Sequence, residues 1–285
     1  MGLKQESANK TFGGTLTKYE LTADKLGQLT TKINVFVPGG SGKFPVLLYL
    51  AGLTCTEDNG AQKGGFFQSA AEHKIALVFP DTSPRGAKIE SEDDSFDFGS
   101  GAGFYLDATK EPWSKHYNMS SYLTEELPAL LKEADLPLDL SRTSLMGHSM
   151  GGHGAISLYL RHPQLYKSAS GFSPIANPTQ CGWGEKAFKG YLKGGVEEGK
   201  KYDSTELIAG FRGKDVHILI DQGTGDDWYK KGQLLTENFQ KAAGQAGLNE
   251  ESVKIRMQDG YDHSYFFIST FASDHVAFHA KYLHA

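Results

Sequence analysis

The chain has two cysteines in 285 residues, Cys55 and Cys181. Two thiols cannot make the disulfide framework of a small secreted fold, and Met1 to Lys10 is polar with no apolar leader. Reduced thiols and a cytoplasmic location are therefore expected. No C-x-x-C and no H-E-x-x-H occurs, so no metal site is expected. Positive charge is not in excess: Lys and Arg number 29 against 34 Asp and Glu, for a formal net charge of −5. That balance argues against nucleic acid or an anionic membrane as partner. No apolar run approaches the ~18 residues of a spanning helix. Internal repeats, low-complexity tracts and long linkers are also missing, which predicts one domain over residues 1–285.

What is present is an alternation of strand-like and helix-like segments. Strands are predicted at residues 32–37, 46–50, 76–79, 143–146, 168–171, 216–220 and 253–257. Helices are predicted at 66–73, 120–133, 152–161, 232–246 and 264–283. This order implies an α/β fold with a mostly parallel central sheet flanked by helices. Residues 19–21 and 32–37 read as antiparallel strands at the N-terminal edge. Two glycine-bearing segments, 80–86 and 95–108, are too long for simple connectors and are expected to shape a binding site.

The most informative stretch is Gly147-His148-Ser149-Met150-Gly151, between a buried strand and a helix. A serine there sits on a nucleophile elbow, with flanking glycines that let strand and helix approach. Such a serine needs a base, and the base an orienting acid. Of ten histidines, His73, His116, His153, His162 and His217 fall at unsuitable positions, and His148 is awkwardly placed beside the nucleophile. His275, His279 and His284 are expected on a surface or partly buried face of the last helix. His263 remains, in a loop after the last strand, at the sheet edge where ligands bind. The loop after residues 216–220 offers Asp221, Asp226 and Asp227. Asp221 is expected to pin its own turn, which leaves Asp226 with Asp227 as its near competitor. The order Ser, Asp, His is that of the α/β-hydrolases. Two backbone N–H groups should form the oxyanion hole: Met150, directly after the serine, and Leu53, on the loop after residues 46–50.

Seven segments together make the chain similar to a known family: AGLTCTEDN at 51–59, PDTSPRG at 80–86, FDFGSGAGFYLDAT at 96–109, GHSMGGHGA at 147–155, FSPIANP at 172–178, IDQGTGDDW at 220–228 and GYDHSYFFI at 260–268. It closely resembles the S-formylglutathione hydrolase (esterase D) family of the α/β-hydrolase superfamily. The resemblance implies a cytosolic, commonly dimeric enzyme with no metal or organic cofactor. It implies cleavage of a glutathione thioester to glutathione and formate, in the service of formaldehyde detoxification. It also implies a triad of Ser149, Asp226 and His263. Cys55, Arg85, Trp183 and Lys186 are expected near the substrate, Arg85 and Lys186 as partners for anionic glutathione, and Trp183 or Phe104 as bulk beside a small acyl group. The residues by themselves reach only an ester, thioester or amide hydrolase. A general small-acyl carboxylesterase, an acyltransferase and a non-catalytic binding module on the same fold stay as alternatives. A cysteine hydrolase using Cys55 is disfavoured, since no base neighbours it in sequence.

Overall fold

A computed structural model describes residues 2–212 and 215–285; Met1, the first residue of the polar leading segment, lies outside the described residues. Among the described residues nine strands form one sheet: β1 (Lys4–Thr11), β2 (Gly14–Ala23), β3 (Leu29–Val37), β4 (Phe44–Leu50), β5 (Ala76–Pro80), β6 (Leu138–His148), β7 (Ala169–Phe172), β8 (Ile218–Gly223) and β9 (Val253–Gln258). The spatial order is β1-β2-β3-β5-β4-β6-β7-β8-β9. β1 to β3 are antiparallel to one another, and β3 is antiparallel to β5; every pairing from β5 onward is parallel. The expected α/β-hydrolase architecture is the observed one. β1 went unpredicted because its sequence, KQESANKT, has no buried side and is almost wholly exposed. Such polarity suits an edge strand, whose free backbone would otherwise invite pairing with another chain.

Burial explains the central strands. β4 reads FPVLLYL and is buried throughout, as a parallel strand covered on both faces must be. Its alternate residues divide between two cores: Val46, Leu48 and Leu50 on one side, Leu47 and Tyr49 on the other. The helix Met150–Arg161 follows β6 directly and is buried from Met150 to Leu160, so it is a core helix rather than an amphipathic one. It begins two residues earlier than its apolar spacing suggested, because Ser149 is the N-cap residue and the glycines after it are already helical.

The C-terminal helix, Tyr265–Leu283, is tied to the sheet by a buried chain of hydrogen bonds. Here two expectations are corrected. His275 and His279 are fully buried, not on a surface face, and Asp221 does not pin its own turn. Asp221 instead receives Arg256 Nε and Nη2 at 2.6 and 2.5 Å, Gln258 Nε2 at 3.0 Å and His275 Nε2 at 3.0 Å. His275 Nδ1 meets Ser170 Oγ at 2.9 Å, Ser170 meets His279 Nε2 at 2.8 Å, and His279 Nδ1 meets Ser168 Oγ at 2.8 Å. Ser168 in turn meets Ser144 Oγ at 2.8 Å. An ionised carboxylate only accepts, so His275 Nε2 must donate to Asp221. Each later link is then fixed: Ser170 donates to His275, His279 donates to Ser170, Ser168 donates to His279, and Ser144 donates to Ser168. Both imidazoles are neutral in this arrangement, and a proton added to either breaks it.

Burial likewise pushes the His279 pKa well below its ordinary 6.5. Burial also lowers His275, against the opposing pull of Asp221. Burial opposes ionisation of Asp221, but His275 and Arg256 outweigh it and hold its pKa at about 2. Because the unfolded histidines take up protons first, their contribution to stability is complete above pH 6.5 and is lost as pH falls toward their folded values. The Asp221 contribution persists to lower pH and is lost below about 3.8, the ordinary value, toward 2. Urea unfolding between pH 7.5 and 5 tests this. The protein should lose stability over that range, and His279→Gln should be less stable but with a shallower pH slope, by at most about 1.4 kcal/mol per pH unit. An unchanged slope would remove His279 from the account.

Candidate active site

The candidate residues converge on the carboxyl ends of the parallel strands. Ser149 follows β6 at φ 57° and ψ −119°, a backbone region that costs a non-glycine residue energy. The turn is held by its surroundings. The Ser149 N–H donates to the Phe172 carbonyl at 2.9 Å, while the Ser149 carbonyl accepts from the N–H groups of His153 and Ile175. The flanking glycines are required by close backbone approach. A Cβ on Gly151 would stand 1.9 Å from the Leu50 carbonyl oxygen, and one on Gly147 would stand 2.1 Å from that of Gly151. Among the described residues Ser149 Oγ has no hydrogen-bond partner, and Ser149 lines a cleft at the head of the Met150–Arg161 helix. The dipole of that helix favours negative charge there.

Asp226 and His263 form the second part. His263 Nδ1 lies 2.5 Å from Asp226 Oδ2. Asp226 is fully buried and caps the short helix Asp227–Lys230, its Oδ1 accepting from the N–H groups of Trp228 at 2.8 Å and Tyr229 at 3.3 Å. Burial alone would raise its pKa, but the His263 hydrogen bond and charge, with those two backbone donors, hold it below the usual carboxylate value. As an ionised acceptor, Asp226 requires the hydrogen on His263 Nδ1, which leaves Nε2 free to accept a proton. Asp227, the competitor, is 78% exposed and pairs loosely with Lys230 at 4.0 Å. Ser149 and His263 line the same cleft. They are not directly hydrogen-bonded, a link that in unliganded sites is often long and tightens with substrate.

Residues 51–56 form the third part, leaving β4 beside the serine. A Cβ on Gly52 would lie 3.2 Å from the Ser149 Cβ, so the loop backbone runs directly against the elbow. Among the described residues, no hydrogen bond engages the N–H groups of Leu53 and Met150. Two unengaged donors beside a serine suit a developing oxyanion, each worth about 3–4 kcal/mol in a transition state. The cleft has a volume of about 280 Å³, and its walls include Leu53, Phe96, Trp183, Trp228 and Tyr265.

These features agree with what the chain resembles. The family model named "Esterase" matches residues 27–278. The S-formylglutathione hydrolase of Mus musculus is 49% identical over all of both chains. That of Arabidopsis thaliana is 46% identical, over 99% of this chain and 98% of its own. The chain belongs to the S-formylglutathione hydrolase family. A solved S-formylglutathione hydrolase from Agrobacterium tumefaciens superposes with a TM-score of 0.92 at 41% identity, covering 99% of this chain and 100% of that one.

Not every residue expected near a family substrate reaches the cleft. Trp183 does, 4.5 Å from the Trp228 ring. Cys55 also does, but burial raises its thiol pKa, which makes it a poor nucleophile near neutrality. Phe104 is fully buried against His153 and away from the lining. Lys186 binds Ser95 Oγ at 2.8 Å and pairs with Asp97, so it supports the segment bearing Phe96 instead of facing the cleft. Arg85 is held by Asp81 and the Cys55 carbonyl. Conversely, Phe96, Trp228 and Tyr265 line the cleft without having been singled out. The signal was available: Trp228 and Tyr265 each follow a predicted triad residue by two positions. A second Ser–His–Asp chain, Ser170–His275–Asp221, is wholly buried, so no substrate reaches it.

Proposed function

We propose that the chain is a serine hydrolase that cleaves S-formylglutathione to glutathione and formate through a formyl-enzyme on Ser149, working as one α/β-hydrolase domain. The carrying observation is that His263, hydrogen-bonded to the buried Asp226, lines one cleft with Ser149 and Leu53. Membership of the family supplies the choice of thioester. His263 Nε2 takes the Ser149 proton as Oγ attacks the formyl carbon, and Asp226 stabilises the imidazolium. The carbonyl oxygen, now negative, is received by the N–H groups of Leu53 and Met150. The C–S bond then breaks, and the glutathione thiolate leaves with the proton from His263. Water attacks the formyl ester by the same route in reverse roles, and formate departs from Ser149.

A small acyl group suits the walls. Trp183 and Trp228 pack together beside the serine. That packing favours the formyl reading over a general carboxylesterase. In this reading the enzyme serves formaldehyde detoxification in the cytoplasm as a homodimer. The two free cysteines support a reducing compartment, and the dimer rests on the family resemblance.

Acyl length tests the substrate directly. The kcat/KM for S-formylglutathione should exceed that for S-acetylglutathione and fall further for longer acyl chains, since bulk must displace Trp183 or Trp228. Equal turnover of long-chain aryl esters would leave only a general esterase. The acid is tested separately. Asp226→Asn should reduce kcat by about 10⁴, the usual cost of presenting the wrong imidazole tautomer, while Asp227→Asn should change it less than about threefold. Stopped kinetics on both purified variants decides between them, and reversed severity would reassign the acid.

A further inference from the structure

We infer that Arg85, seated by Asp81 and assisted by Thr82, is a positioning residue that aims the Leu53 N–H through the backbone of Cys55, and is not a contact for the substrate's carboxylates. This rests on the proposed reaction. Gly52 C=O and Leu53 N–H belong to one planar peptide and point in opposite directions. The Cys55 N–H donates to the Gly52 carbonyl at 3.3 Å, which turns the Leu53 N–H the other way. The Cys55 carbonyl is itself held by two donors, Thr82 Oγ1 at 2.5 Å and Arg85 Nη2 at 2.9 Å. Arg85 cannot swing away, because Asp81 takes its Nε at 2.7 Å and its Nη2 at 2.9 Å in a two-point grip. Asp81 lies immediately after β5 and is buried, its Oδ1 also accepting from the Thr82 N–H at 2.6 Å.

The loop needs such a clamp. Thr54, between Leu53 and Cys55, sits at φ 68°, a strained value for a branched residue. Its N–H is fixed on the Gly101 carbonyl at 2.9 Å, and the Ala51 carbonyl accepts the Tyr105 hydroxyl at 2.8 Å. Among the described contacts of residues 51–55, the Cys55 carbonyl is the one anchored by a charged side chain. Arg85 therefore acts two residues away from the donor it orients, with its guanidinium committed to Asp81 and Cys55 and absent from the cleft walls.

Steady-state kinetics of Arg85→Met, Arg85→Lys and Thr82→Val on S-formylglutathione and on a neutral aryl ester test the assignment. Loss of a whole oxyanion donor costs about 10²–10³ in kcat, so a misaimed one should cost about tenfold to hundredfold in Arg85→Met. The fall should appear on both substrates, with KM changed less than about twofold. Inhibition by a trifluoromethyl ketone, whose serine adduct carries the oxyanion, should weaken in proportion to kcat/KM. Competition by S-methylglutathione, which carries no acyl group, should stay unchanged; a merely structural loss would not separate the two inhibitors. A KM increase confined to S-formylglutathione would make Arg85 a substrate contact and overturn the inference, as would wild-type kcat in folded Arg85→Met. Should Arg85→Met not fold, Arg85→Lys and Thr82→Val carry the same expectation, and unchanged kcat in both would overturn it. Ser149→Ala is measured alongside: turnover surviving there would defeat the proposed reaction itself, independently of Arg85.

Discussion

Three backbone segments meet where β6 turns into its helix, and they meet closer than any side chain would allow. Gly147 and Gly151 remove the two Cβ atoms that would strike neighbouring carbonyls, and Gly52 lets the loop after β4 lie against the serine. Ser149 can hold its positive φ only while that contact persists, since the strain is repaid by the hydrogen bonds around the turn. The same approach sets the loop that carries Leu53 directly against the elbow that carries Met150. The proposed nucleophile and the proposed oxyanion donors thus depend on one packing event.

The proposed base and acid come from the other half of the sheet and need their own fixing. Asp221, in β8, and Asp226, just beyond it, are both buried carboxylates with opposite duties. Asp221 faces the C-terminal helix and orders the protons of Ser170, His275, His279, Ser168 and Ser144 along a sealed chain. Asp226 is buried behind His263, which lines the cleft, and orders its tautomer. Since His263 lies just before the C-terminal helix, the sealed chain that docks the helix also limits where His263 can stand. Access separates the two constellations: Ser170, His275 and Asp221 are sealed in the core, whereas Ser149 and His263 border an open cleft.

The sequence made the architecture and the order of the candidate residues readable because both depend on local pattern. Apolar runs such as FPVLLYL announce buried parallel strands, and a serine between glycines announces a tight turn. Other features depend on partners remote in sequence and left no local trace. His275 and His279 looked like members of a partly exposed helix face until Ser168, Ser170 and Asp221 supplied their hydrogen bonds across more than fifty residues. Arg85 and Lys186 looked available to an anionic ligand, yet Asp81 and Asp97 already hold them. β1 was hidden for the opposite reason, having no apolar face to display.

The account stands on Ser149 as the one nucleophile, and covalent labelling reads that out most directly. A fluorophosphonate should bind one equivalent per chain, abolish turnover in step with labelling, and be found by peptide mass mapping on Ser149. It should label a His263→Ala variant far more slowly, because no base remains to activate Oγ. Label on another residue, or activity that survives full labelling of Ser149, would contradict the account.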